Sequence, residues 1–298
     1  MPLTDTLVSI GMPVRNGGAR LTEVIASALA QDHGRIELVI SDNASTDDTE
    51  EICRELARTD SRIAYHRQPE NIGLTQNFDA TIRLAQGTYF RWLGDTDWIA
   101  PTYVSRCLAE FAADERLILV TTQIDYLGED GVTRTAPYHG TGLGSDNPVD
   151  RFEEMLSLLN QSYLMIDPIY GLMRREVIAA IPRRPSLRED QIFAAKIALA
   201  GPWAHVSETL ARRGWEDTRR PQLARRLGVP VWQARVATVW QCRELLQCVR
   251  DADLDPAQRR RARAAVARFY VGRKRRVVTA AGRRRLAKLV ARTADTQR

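Results

Sequence analysis

A chain of 298 residues with 44% hydrophobic residues can hold one large core plus an appendage and is composed like a soluble globular protein, not a fibrous or disordered one. Its formal net charge of +6 conceals an asymmetry: from Arg219 onward 22 Lys/Arg stand against 5 Asp/Glu, while the residues before it carry 21 against 32. That shift predicts a boundary near Thr218, with residues 1–218 as one domain and 219–298 as an Arg-rich helical region.

Taken in order, residues 7–14 read as a strand closed by the turn cluster Arg15-Asn16-Gly17-Gly18, and residues 21–30 carry apolar side chains at helical spacing. A second strand, 36–40, runs into Ser41-Asp42-Asn43-Ala44-Ser45-Thr46-Asp47-Asp48-Thr49, where Ser45 or Thr46 is placed to cap a helix reaching Leu56. Residues 63–66 form a short third strand. Asn71-Ile72-Gly73 is a turn, 75–85 a helix turning Phe78 and Ile82 inward, and 88–93 a fourth strand. Residues 128–148 are polar and Gly-rich, either a mobile lid or an ordinary surface connection. Glu189-Asp190 opens a helix containing Ile192, Phe193, Ile197 and Leu199. Residues 232–249, 257–271 and 277–291 read as three further helices, with Pro230 and Pro256 as starts.

Strands alternating with helices of this length predict an α/β fold, a mostly parallel central sheet covered on both faces, with ligands outside the carboxyl ends of the strands. Asp42 follows one strand, and Gly94-Asp95-Thr96-Asp97-Trp98 follows another. Two carboxylates at i and i+2 beyond a buried strand can hold a hard divalent cation, which can in turn carry a diphosphate. The same acids are also ordinary turn formers, and Asp42 suits an Asx turn. Two acids at a helix start likewise serve as capping residues, or, if placed at a reacting centre, as a general base.

Five segments in fixed order resemble the inverting family 2 glycosyltransferases of the Rossmann-like GT-A fold. They are residues 8–16, the aspartate-small-Ser-Thr-Asp run at 42–47, Asn71-x-Gly73 with Asn77, residues 87–101, and Glu189-Asp190. The resemblance implies transfer of a sugar from a nucleotide-diphosphate sugar to an acceptor hydroxyl, in a glycan, a lipid-linked molecule or a small molecule, by a single inverting displacement. It implies that Pro13 and Arg15 lie beside the nucleotide, that Asp42 accepts a hydrogen bond from the base, that Asp95 and Asp97 hold Mg²⁺ or Mn²⁺, and that Asp190 is the general base. It also marks 168–177 as the acceptor side, where Tyr170 either stacks on a sugar or belongs to the core. One departure stands out: the family pattern puts its principal metal carboxylate at Thr96, a hydroxyl. That departure motivates the alternative of a non-catalytic nucleotide-sugar-binding or scaffold protein.

Arg259-Arg260-Arg261, Arg273-Lys274-Arg275-Arg276 and Arg283-Arg284-Arg285 suit either a solvated face packed over an acidic catalytic domain or peripheral contact with anionic membrane. Nucleic acid is disfavoured, because no zinc spacing or aromatic recognition run accompanies the charge. No apolar span of roughly 18 residues and no signal-peptide pattern occurs. Cys53, Cys107, Cys242 and Cys248 lack disulfide or zinc spacing, so reduced thiols and a cytoplasmic location are expected.

Overall fold

The structure, a computed structural model, describes residues 3–162, 165–215 and 220–295, with side chains to residue 276. Its first half comprises β1 (Val8–Val14), α1 (Leu21–Leu29), β2 (Ile36–Asp42), α2 (Thr49–Thr59), β3 (Ile63–Arg67), α3 (Leu74–Leu84), β4 (Tyr89–Trp92), β5 (Trp98–Ile99), α4 (Tyr103–Ala113) and β6 (Leu119–Gly128). There follow β7 (Thr133–Arg134), α5 (Pro148–Gln161), β8 (Leu172–Arg174), α6 (Arg175–Ala179), α7 (Glu189–Ala200), β9 (Trp203–Trp215), α8 (Arg220–Arg226), α9 (Gln233–Asp251) and α10 (Pro256–Asp295).

These strands join one sheet ordered β3-β2-β1-β4-β8-β6-β9-β5, with β7 paired to β6. The β3-β2-β1-β4 half is parallel, as the alternation of strand and helix predicts, and β8 enters antiparallel to both β4 and β6. Side chains alternate between the two faces. Leu38 and Ile40 therefore enter the core layer that α1 and α4 cover with Ile25 and Phe111, while Val39 enters the layer holding Ile82, Met155 and Phe193 of α3, α5 and α7. Burial on both faces explains why β1 reads as an almost continuous apolar run.

Several local differences have physical causes. The second strand extends to Asp42, and α2 begins only at Thr49, because Ser45 donates to Asp42 instead of capping the helix. The predicted helices 257–271 and 277–291 are one helix, since nothing between them removes a backbone donor or forces a turn. The 128–148 segment is anchored: Tyr138 and Leu143 are buried, and the Tyr138 hydroxyl meets Glu154 Oε1 at 3.2 Å.

The C-terminal helices do not stand apart. α5, α7, α9 and α10 share a core containing Phe152, Ala195, Leu245, Val249, Val266 and Phe269. Arg261 reaches Asp150 and Glu153 of α5, both at 2.7 Å, and Arg268 reaches Glu153 at 2.7 Å. Arg276 caps the end of α5 by donating to the carbonyls of Asn160 and Gln161. Arg261, Arg268 and Arg276 of the tail thus meet the acidic domain, while Arg260 and Arg263 stay exposed. The boundary near Thr218 and the side chains of Arg283, Arg284 and Arg285 lie outside the described residues. All four cysteines are buried and unpaired, and burial pushes Cys53 and Cys107 up to about 12 and Cys248 up to about 11.

Candidate active site

The loops after β1 and β2 are laced together at the carboxyl end of the sheet. Asn16 adopts a left-handed conformation (φ 56°), which lets its backbone N–H meet Ser45 Oγ at 2.9 Å and its side-chain oxygen accept from Thr46 N at 2.9 Å. Thr49 Oγ1 accepts from Gly17 N and Gly18 N at 2.9 and 3.2 Å. Pro13 is buried within β1, opposite Ser41, and Arg15 is exposed at its end. Asn77 accepts from Ser41 Oγ and donates to Ser41 O, and Asn71 accepts from Asn43 and Gly73, so both shape the cleft wall.

Asp42 sits at the predicted strand end, but its carboxylate is fully buried and turned inward. Oδ1 accepts from Ser45 N at 2.9 Å and Ser45 Oγ at 2.6 Å, and Oδ2 accepts from the Tyr65 hydroxyl at 2.7 Å. Asp42 thus closes a local turn, through the N–H three residues on and not the one two residues on that an Asx turn uses.

The acid loop divides its two carboxylates between different tasks. Asp97 is buried; its Oδ2 accepts from Gly94 N at 2.9 Å and its Oδ1 from Arg213 Nε at 3.3 Å. Gly94 permits this closed turn, because a Cβ there would lie 2.9 Å from Asp97 Oδ2. Asp97, expected to hold the cation, closes the loop here and has the Arg213 guanidinium beside its carboxylate. Thr96 is exposed and its hydroxyl lies over Gly214, where a Cβ would come within 2.8 Å. Asp95 is the open carboxylate, half-buried, 3.6 Å from Arg20; burial raises its proton affinity while Arg20 and Arg226 oppose that rise. Among the described residues no cluster of three or more His, Cys, Asp or Glu is arranged to hold a metal ion. One carboxylate with diphosphate oxygens and water still suffices for Mg²⁺, which seldom uses an all-protein cage. The residues fit a cation delivered with a ligand, through Asp95.

Asp190 opens α7 and faces a cavity of about 380 Å³ lined also by Phe78, Met155, Asp167, Tyr170, Arg213 and Leu227. Its neighbour Glu189 is held by Arg183 in a bidentate pair at 2.8 and 2.7 Å, and the Arg183 guanidinium lies 4.6 Å from the Phe193 ring. Asp190 has no such partner. The protein atoms crowding it, then the charges of Asp167 and Glu189, push it up to about 6, although its carboxylate stays open to the cavity. Burial and Asp167 thus outweigh the adjacent Glu189.

Arg213 of β9 joins the two halves. It donates to Asp97 at 3.3 Å and to Asp167 at 2.6 Å, and its guanidinium lies 3.3 Å from the Tyr170 ring centroid. That stacking occupies one face of Tyr170, while Tyr103 donates to its carbonyl at 3.0 Å. Sequence reasoning missed Arg213 and Asp167. Asp167 directly precedes the segment marked as the acceptor side, whereas Arg213 lies in a strand with no distinguishing pattern of its own. Behind Asp190, Arg188 is left-handed (φ 64°) and donates to Thr238 and Gln241 of α9, and Gln241 donates to Gln191 at 2.9 Å. The turn that bears Asp190 is therefore gripped from both sides.

Comparison with known proteins agrees with this architecture. Glycosyltransferase GlyA of Streptococcus pneumoniae is 32% identical over 115 residues, 38% of this chain and 16% of that protein. Chondroitin synthase of Pasteurella multocida is 32% identical over 137 residues, 44% of this chain and 14% of that protein. The matched segments are thus small parts of much longer relatives. In three dimensions, S. aureus TarS in complex with UDP-GlcNAc superposes with a TM-score of 0.63 at 17% identity, covering 89% of this chain and 72% of that one. Mannosyltransferase PcManGT from Pyrobaculum calidifontis, in complex with GDP-Man and Mn²⁺, gives 0.55 at 16%, covering 90% and 75%. These structures share the GT-A-type α/β fold. The family description Glycosyl transferase family 2 matches residues 9–181, more than half of the chain, and the chain belongs to that family.

Proposed function

We propose that this chain transfers a sugar from a nucleoside-diphosphate sugar to an acceptor hydroxyl by one inverting displacement, with residues 1–218 as the catalytic domain and 219–298 as its helical buttress. The observation that carries this reading is Asp190: an unpaired carboxylate of raised proton affinity, open to a cavity that Asp167 and Arg213 also line, with Arg213 in turn bonded to Asp97 of the acid loop. The ligands of the neighbouring structures, UDP-GlcNAc and GDP-Man, support the donor class.

In the proposed reaction the acceptor oxygen bonds to the anomeric carbon as the bond to the diphosphate breaks, and Asp190 takes the acceptor proton. An alcohol is a poor nucleophile at neutral pH, and a base near 6 is ionised there while keeping useful proton affinity. Pro13, Arg15 and the laced loops form the nucleotide side. Asp42 serves the base if Tyr65 gives up its hydrogen bond, and otherwise holds the loop beneath it. Asp95 would hold Mg²⁺ or Mn²⁺, which when bound supplies positive charge to the departing diphosphate. Arg213 holds the acid loop against Asp167 at the edge of the cavity that Asp190 faces. A cytoplasmic location and peripheral contact with anionic membrane belong to the same reading.

Asp190→Asn tests the assignment because it preserves size but removes the proton acceptor. Donor affinity should stay near wild type while turnover falls roughly 10²-fold or more. Wild-type turnover in the variant would exclude the role, and a product that retains the donor configuration would exclude single displacement. Donor binding by the wild type with no turnover on any hydroxyl acceptor would favour the scaffold reading.

A further inference from the structure

α9 has two faces with opposite characters. Gln241, Leu245 and Val249 point inward to the base-bearing turn and the shared helical core. The outer stripe carries Trp232, Val236, Val239 and Leu246, which are 55%, 38%, 53% and 43% exposed. Their spacing of three, four and seven keeps them on one side of the helix. Arg235 and Arg243 are exposed on the same stripe, which contains no carboxylate; Glu244 lies to one side, and Asp251 at the helix end meets Arg250 at 3.5 Å. Trp232 and Trp240 pack edge to face at 6.2 Å between centroids, and Arg243 lies 5.0 Å from the Trp240 ring.

A water-facing helix ordinarily hides such side chains or separates them with charges of both signs. Here large apolar groups alternate with cations only, beginning with tryptophan, whose ring suits the boundary between water and hydrocarbon. A second copy of the chain would set arginine against arginine, whereas an anionic bilayer offers hydrocarbon to the apolar groups and phosphate to the guanidinium groups. No described helix is long and apolar enough to cross a membrane. We propose that the outer face of α9 is the surface by which the protein lies on an anionic bilayer. The proposal rests on the membrane contact in the proposed function and moves it from the tail arginines, of which Arg261 and Arg268 are occupied by α5, to a different helix. α8 and the turn after it connect this surface to the cavity: Leu223 of the helix and Leu227 of the turn line the space beside Asp190, and Leu227 lies five residues before Trp232.

Cosedimentation of the full chain with phosphatidylcholine vesicles, with and without phosphatidylglycerol, tests the assignment. Wild type should bind only the anionic vesicles and release at high salt. Trp232→Ser with Val239→Ser should lower the partition coefficient about tenfold or more, and Arg235→Glu with Arg243→Glu should do the same. Arg260→Glu with Arg263→Glu on α10 should change binding by less than about twofold. Hydrolysis of donor in solution should be unaffected in all three, and melting temperatures should confirm that each is folded. Failure of the wild type to bind anionic vesicles would overturn the membrane contact itself. Wild-type binding that survives both α9 variants would leave that contact standing and overturn this surface. A dimer in sedimentation analysis that both α9 variants abolish, without vesicle binding, would assign the face to self-association instead.

Discussion

Asp95 and Asp97 stand two residues apart and look equivalent in the sequence, yet their surroundings assign them different tasks. Asp97→Ala would leave Gly94 N without its acceptor and Arg213 with Asp167 as its remaining carboxylate partner. Breaking a buried ion pair from one side is expected to lower stability by about 3 kcal/mol, readable by chemical denaturation. Asp95→Ala should melt like wild type but lose metal-enhanced affinity for a nucleoside diphosphate, measured by calorimetry with and without Mn²⁺. A stable Asp97 variant, or unchanged metal linkage in the Asp95 variant, would reverse these roles. Asp190 also predicts a pH profile. Because its carboxyl is held up near 6 and must be deprotonated to accept, kcat/KM should rise as pH increases through about 6 and level off above. In Asp190→Asn that limb should vanish; a limb that persists there belongs to another group.

Among the elements, α7 and α9 show how a loop acid is converted into a positioned one. Arg188 departs from the ordinary backbone region so that the turn before Asp190 can reach α9, and Gln241, fully buried, satisfies Arg188 and Gln191 together. Gln241→Leu keeps apolar volume and removes both bonds. We expect turnover about tenfold lower with donor affinity unchanged, measured as a fall in kcat at constant donor KM. Equal loss of both would mean that α9 only stabilises the fold. This coupling was not legible in the sequence, because Gln241 and Asp190 are brought together by tertiary packing and no spacing rule links them. The first four strands and the first three helices were legible, since burial on both faces writes itself as apolar runs and as 3.6-residue periodicity, whereas β6 and β9 were not read from the sequence. The start of α2 was not: the Ser45 hydroxyl could accept from the free N–H groups of the helix end or donate to Asp42, and only the folded loop decides between them.

Across the whole molecule, the charge asymmetry was visible in composition, but its direction in space was not. A run of arginines looks the same whether it faces lipid or the acids of α5, and Arg261 with Asp150 and Glu153 is the second case. Removing residues 219–298 would expose Phe152 and Ala195 and leave the turn before Asp190 without Gln241. Loss of several buried apolar side chains at about 2 kcal/mol each is more than a marginally stable domain tolerates. The truncated protein should aggregate or melt far below wild type in a thermal scan; a soluble fragment with wild-type melting would show that the C-terminal helices are dispensable.

The buried thiols have a practical consequence for following this protein at a surface. Thiolates, not thiols, attack maleimides and related reagents, and all four native cysteines are enclosed, with Cys53, Cys107 and Cys248 driven far above neutral pH. A single cysteine introduced at the exposed Val239 would therefore react selectively in the folded protein without removal of any native one. A polarity-sensitive fluorophore or a spin label at that position would report contact depth directly, and the unmodified background would stay dark.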